Sequence, residues 1–96
     1  MKVVINTRFG GFCLSDAGEA EITRRDRTLA GGRYPIYWDI DRTNPALVQM
    51  IEEDAVLYSG SSALLRVVEV PDDVEWHIHD YDGREHVAEN HRTWFS

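Results

Sequence analysis

The chain has 96 residues, 43% of them hydrophobic and 28% charged, a length and balance that fit one globular domain and exclude a disordered polypeptide. A formal net charge of −7 sets most of the surface against direct contact with nucleic acid, and a lone cysteine, Cys13, excludes an intramolecular disulfide. No apolar run approaches a membrane span, and MKVVINTRF is far short of a signal-peptide core, so the expectation is a cytoplasmic protein without membrane contact, folded as a single α+β domain over residues 1–96.

Lys2 to Asn6 reads as a short strand, followed by a loop in which Gly10 and Gly11 permit positive φ and close backbone approach, with Phe9 and Phe12 expected to anchor the loop on the core. Asp16 with Glu19 three residues on forms a candidate capping box for a helix running to about Asp26. That helix is weak. Gly18 costs close to 1 kcal/mol relative to alanine, and Ala17, Ala20 and Ile22 supply only a thin apolar stripe. Arg24 to Gly32 reads as a basic connection bent at Gly31-Gly32.

Arg33 to Ile40 alternates Tyr34, Ile36, Trp38 and Ile40 against Arg33, Pro35, Tyr37 and Asp39, the pattern of a strand with an aromatic face inward and Pro35 at an edge. Asn44-Pro45 then predicts a helix start. An asparagine cap and a proline at the first helical position precede Ala46, Leu47, Met50, Ile51 and Ala55 on one face, with Glu52, Glu53 and Asp54 on the other, and the helix should run to about Asp54.

Leu64, Leu65, Val67, Val68 and Val70 form a mostly β-branched apolar run, broken by Arg66 and Glu69, that predicts a strand, which Pro71 ends before Asp72 and Asp73 supply turn acceptors. From Glu75 to Tyr81 a period of two sets Trp76, Ile78 and Asp80 against Glu75, His77, His79 and Tyr81. Asp82-Gly83 signals a tight hairpin turn. Arg84 to Trp94 fits either a returning strand with Val87 inward or a helix with Val87, His91 and Trp94 on one side, and the strand followed by a short tail is preferred. The predicted architecture is therefore a small mixed or antiparallel sheet of about four strands with one main helix packed on it, and Trp76 and Trp94 in the core.

Charge is strongly polarised. Between Glu52 and Glu89 eleven acids face only Arg66 and Arg84, a local charge of −9, whereas the remainder carries +2 and gathers four basic residues at Arg24, Arg25, Arg27 and Arg33. Such a chain is drawn to basic protein surfaces. The candidate partner-binding residues are Asp72, Asp73, Glu75, Asp80, Asp82, Glu85 and Glu89. An alternative puts a phosphate-bearing nucleotide on Arg8, Gly10, Gly11, Arg24 and Arg25, although neither a G-x-G-x-x-G fingerprint nor a P-loop is present. A third reading makes the chain a metal-dependent enzyme through His77, His79, His86 and His91. His77 and His79 fall on the predicted solvent face, and Asp80-x-Asp82-Gly83-x-Glu85 lacks the length and closing glutamate of a calcium loop, so no metal and no cofactor are expected. No nucleophile with a spaced base stands out either, which favours a non-catalytic role.

Three pieces, KVVINTRFGGFCLS, DIDRTNPALVQMIEE and VVEVPDDVEWHIHDYDGREHVAENHRTW, together resemble a family of small bacteriophage and prophage proteins, mostly uncharacterised, in which Pro-Asp-Asp-Val-Glu-Trp and His-Arg-Thr-Trp are distinctive. This chain departs from that pattern between Ser15 and Tyr37 and carries histidine at 77 and 79, where aromatic and acidic residues are expected. The resemblance implies an accessory function in the host cytoplasm, such as inhibition of a host defence complex in the manner of an anti-CRISPR, and transfers no active-site residue. The expected partner is a host protein with a basic surface, such as a defence complex that binds nucleic acid.

Overall fold

The fold is α+β, seen in a computed structural model that describes residues 1–29, 37 and 40–89. Two strands far apart in the sequence carry the rest. Strand β1 (Lys2–Asn6) pairs antiparallel with β2 (Leu65–Glu69), Val4 opposite Val67. Alternation then sends side chains to two separate cores. Val4, Leu65 and Val67 face the helices, while Val3, Ile5, Val68 and Val70 face a hairpin packed on the other side. A strand covered on both faces needs a continuous apolar run, which Val3-Val4-Ile5 provides.

Helix α1 (Asp16–Arg25) starts one residue before the expected cap: Ser15, not Asp16, is the N-cap, its hydroxyl accepting from the Gly18 amide at 3.0 Å while donating to the Leu57 carbonyl at 2.7 Å. Its buried face is Gly18, Glu19 and Ile22, whereas Ala17 and Ala20 are exposed. Gly18 explains the shift, because a Cβ there would lie 2.6 Å from the Tyr58 carbonyl oxygen. The residue that weakens this helix locally is the one that lets it pack.

Helix α2 (Pro45–Tyr58) starts as predicted, with Asn44 Oδ1 accepting from the amides of Ala46 (2.9 Å) and Leu47 (3.3 Å). Its side-chain amide also donates to Asp26 at 2.9 Å, fastening the end of α1 to the start of α2. Leu47, Val48, Met50 and Ile51 are buried. The first segment stops where expected: Asp54 leaves helical geometry at φ −159° and ψ 84°, and its carboxylate accepts from the Leu57 amide to open one further turn.

Strands β3 (Trp76–Tyr81) and β4 (Arg84–Glu89) form a hairpin in which Tyr81 and Arg84 close a two-residue turn. Asp82 (φ 56°) and Gly83 (φ 89°) both take positive φ, as such turns require, and Asp80 accepts from the Gly83 amide at 2.8 Å. Arg84 to Glu89 is thus a returning strand, with Val87 facing in beside Ile78 and a half-buried Trp76. Among the described residues the four strands form two separate two-stranded sheets rather than one, because the hairpin stacks on β1–β2 through side chains instead of joining its ladder. Of the predicted strand Arg33–Ile40 only Tyr37 and Ile40 are described. Ile40 is buried as expected, and Tyr37, expected outside, meets the Phe12 ring edge-on at 6.5 Å. Trp94 lies outside the described residues.

Candidate functional site

The hairpin carries four of the candidate acids, Asp80, Asp82, Glu85 and Glu89, and one buried ion pair positions it. Glu85 sits on the inner face of β4 with its side chain only 5% exposed and receives the Arg42 guanidinium on both oxygens, at 2.7 and 2.9 Å. It also accepts from the Asn6 amide at 2.8 Å. Arg42 stacks over Phe12 at 3.5 Å from the ring centre, and its carbonyl accepts from the Val4 amide. Asn6 completes the joint by donating from its side chain to the carbonyls of Arg8 and Gly83. Glu85 therefore holds the molecule together from inside and does not belong to an outward binding face.

The other candidate acids divide between two ends of the hairpin. Asp80 and Asp82 lie at the turn. Asp72, Asp73, Glu75 and Glu89 lie at the opposite end, since Glu89 pairs with Trp76 and Glu75 precedes it. A strand of this length separates the two groups by about 17 Å. Asp72 also binds the N-terminal ammonium at 2.6 Å, which brings the end of β2 and Glu69 to the same place. Glu69 is a site residue that the sequence reading passed over. Its signal was the Pro71-Asp72-Asp73 turn, which must bring the end of one strand near the start of the next. The acidic end so assembled is Glu69, Asp72, Asp73, Glu75 and Glu89, all exposed, and none of the five is hydrogen-bonded to a lysine or arginine side chain among the described residues.

Beside this end a cleft of about 320 Å³ opens between the two sheets. Ile5, Val68 and Val70 form one wall and Val87 the other, with Glu69 and Glu89 also lining it.

The alternative nucleotide residues are held apart by different partners. Arg24 pairs with Glu21, and Arg25 bridges Glu21 and Glu53, the latter through two contacts of 2.7 and 2.9 Å. Gly10 and Gly11 belong to the loop after β1. A Cβ on Gly10 would lie 2.1 Å from the Ser62 carbonyl oxygen, and Gly83 comes so close that its own Cβ would lie 2.5 Å from the Gly11 nitrogen. Gly10 serves close packing, and Gly11 supplies a backbone turn at φ 88°. Arg8 and Phe9 are exposed beyond them, and Phe9, at 59% exposure, does not anchor the loop; Phe12 does, under Arg42.

Hydrogen bonds from Arg24 and Arg25 lower the Glu21 carboxyl to about 2. Because the folded value is depressed below the ordinary 4.5, this contribution to stability is fully present above that value and disappears as pH falls toward 2. Carboxyl resonances followed by NMR should show Glu21 titrating at about 2, well below the ordinary 4.5. Arg25→Met should return it toward the ordinary range, and an unchanged titration would remove the bridge.

His77, His79 and His86 share the outer face of the hairpin, where the rings of His79 and His86 stand 4.8 Å apart. Among the described residues no group of three or more histidine, cysteine or carboxylate side chains is arranged to hold a metal, and His91 lies outside them. Cys13 is half-buried and packs against Gly60, where any Cβ would collide with its sulfur. No helix among the described residues is long and apolar enough to cross a membrane. No family model, curated protein or solved structure matches this chain.

Proposed function

We propose that this chain is a phage-encoded, non-catalytic binding protein that acts in the host cytoplasm by docking its acidic end on a basic surface of a host protein, inhibiting a defence complex in the manner of an anti-CRISPR. The observation that supports the docking is the convergence of Glu69, Asp72, Asp73, Glu75 and Glu89 from three separate strand ends onto one exposed end of the molecule. A groove that binds nucleic acid carries the opposite charge and the same need for ordered contacts. The phage setting and the class of target rest on the sequence resemblance.

Expression in cells whose guided defence blocks a phage should restore plaque formation. Asp72→Lys/Asp73→Lys/Glu75→Lys should abolish the restoration, and Arg24→Glu/Arg25→Glu should retain it. With the purified complex, the association rate should fall steeply between low and physiological salt, because long-range attraction between opposite charges is screened over about 8 to 10 Å. A nucleotide sponge demands the reverse pattern, since phosphates need donors. If the arginine variant alone loses protection, or the purified chain retains a nucleotide, the inhibitor reading fails.

A further inference from the structure

One border of the cleft between the sheets is a strand edge that no other strand pairs among the described residues. Tyr81 and Arg84 close a two-residue hairpin turn, so hydrogen-bonded pairs recur at His79–His86 and His77–Ala88. The amides and carbonyls of Val87 and Glu89 must then point away from β3, along the side on which both residues line the cleft. No described residue hydrogen-bonds the backbone of either. Natural sheets pair, cover or charge such an edge, and here it runs beside exposed parts of Val68 and Val87.

We propose that this edge and cleft receive an extended segment of the partner protein as a strand added to β4. The occupant has apolar residues at alternate positions and lysine or arginine at the end that reaches Glu69 and Glu89. Backbone bonds to Val87 and Glu89 supply affinity that does not depend on sequence. Alternate apolar side chains fill the space between Ile5, Val68, Val70 and Val87, and the two carboxylates select the basic end. This rests on the protein-binding reading and names the partner's chemistry at the same acidic end.

The probe is an acetylated, amidated peptide of alternating valine and threonine ending in Lys-Arg-Lys. Binding should slow amide exchange at Val87 and Glu89 by tenfold or more while leaving Thr23 unchanged. The same peptide N-methylated at alternate amides, or ending in Glu-Asp-Glu, should not bind. Glu69→Lys/Glu89→Lys should weaken binding by about tenfold, as expected for two exposed pairs. Glu89→Pro, which removes one outward amide and no β3–β4 bond, should weaken it too; exchange at Thr23 and at His79, whose amide faces His86 across the ladder, reports whether that variant remains folded.

Binding that leaves the Val87 and Glu89 amides unprotected overturns the proposal, as does equal affinity for the N-methylated peptide. Concentration-dependent protection of these amides without peptide assigns the edge to a second copy and overturns it as well. If no peptide binds while Asp72→Lys/Asp73→Lys/Glu75→Lys still abolishes phage protection, strand addition fails and the protein-binding reading stands.

Discussion

Arg42→Ala should be among the most damaging single substitutions in this protein, costing about 3 to 5 kcal/mol, because it leaves a buried carboxylate without its counter-charge. Glu85 would keep the Asn6 amide as a partner but lose two charge-assisted bonds, and Phe12 would lose the guanidinium stacked on it. Set against a total stability of about 5 to 15 kcal/mol for a domain of this class, that loss approaches unfolding. The reciprocal variant Glu85→Ala should be similarly severe, since it strips the acceptor from Asn6 as well. Arg42→Met/Glu85→Gln removes both charges and keeps an acceptor for Asn6, so it should recover part of the loss. Denaturant unfolding checks all three. An Arg42→Ala protein within about 0.5 kcal/mol of the parent would mean that the hairpin is held by its apolar contacts alone.

Leu65→Ala should cost about 2 to 5 kcal/mol, the range for a fully buried leucine whose surroundings cannot collapse into the space. Leu65 is wholly buried on the helix side of β2, and its amide donates to the Ser59 hydroxyl at 2.9 Å. The neighbouring Ser59 is itself fixed by Ala55, so the cavity would be rigid on that side. Val68→Ala, on the hairpin side of the same strand, should cost less, because Val68 is only half-buried and lines the open cleft. Equal losses for the two would show that the hairpin layer is packed as tightly as the helical one.

Local chemistry was legible wherever a residue's meaning depends on near neighbours in the chain. Asn44-Pro45 marks the start of α2, Asp82-Gly83 the hairpin, and alternation between Trp76 and Tyr81 the inner and outer faces of β3, whereas the expected end near Asp54 is a kink after which one further turn continues to Tyr58. The α+β class followed from those elements. Pairing between distant segments was decided only in three dimensions. Glu85 looked like one more acid in an acidic block, and nothing near it in sequence announces Arg42, 43 positions away. Gly18 looked like a flaw in a helix until Tyr58 was placed against it, and Arg25 looked available to a phosphate until Glu53 arrived from the other helix. Likewise the predicted strands do not by themselves say whether they share one ladder. Period and propensity are set within a few residues by backbone sterics and side-chain shape. The partner of a charge, or the neighbour of a strand, depends on which surfaces the whole chain brings together to bury its apolar area, and no short stretch of sequence encodes that.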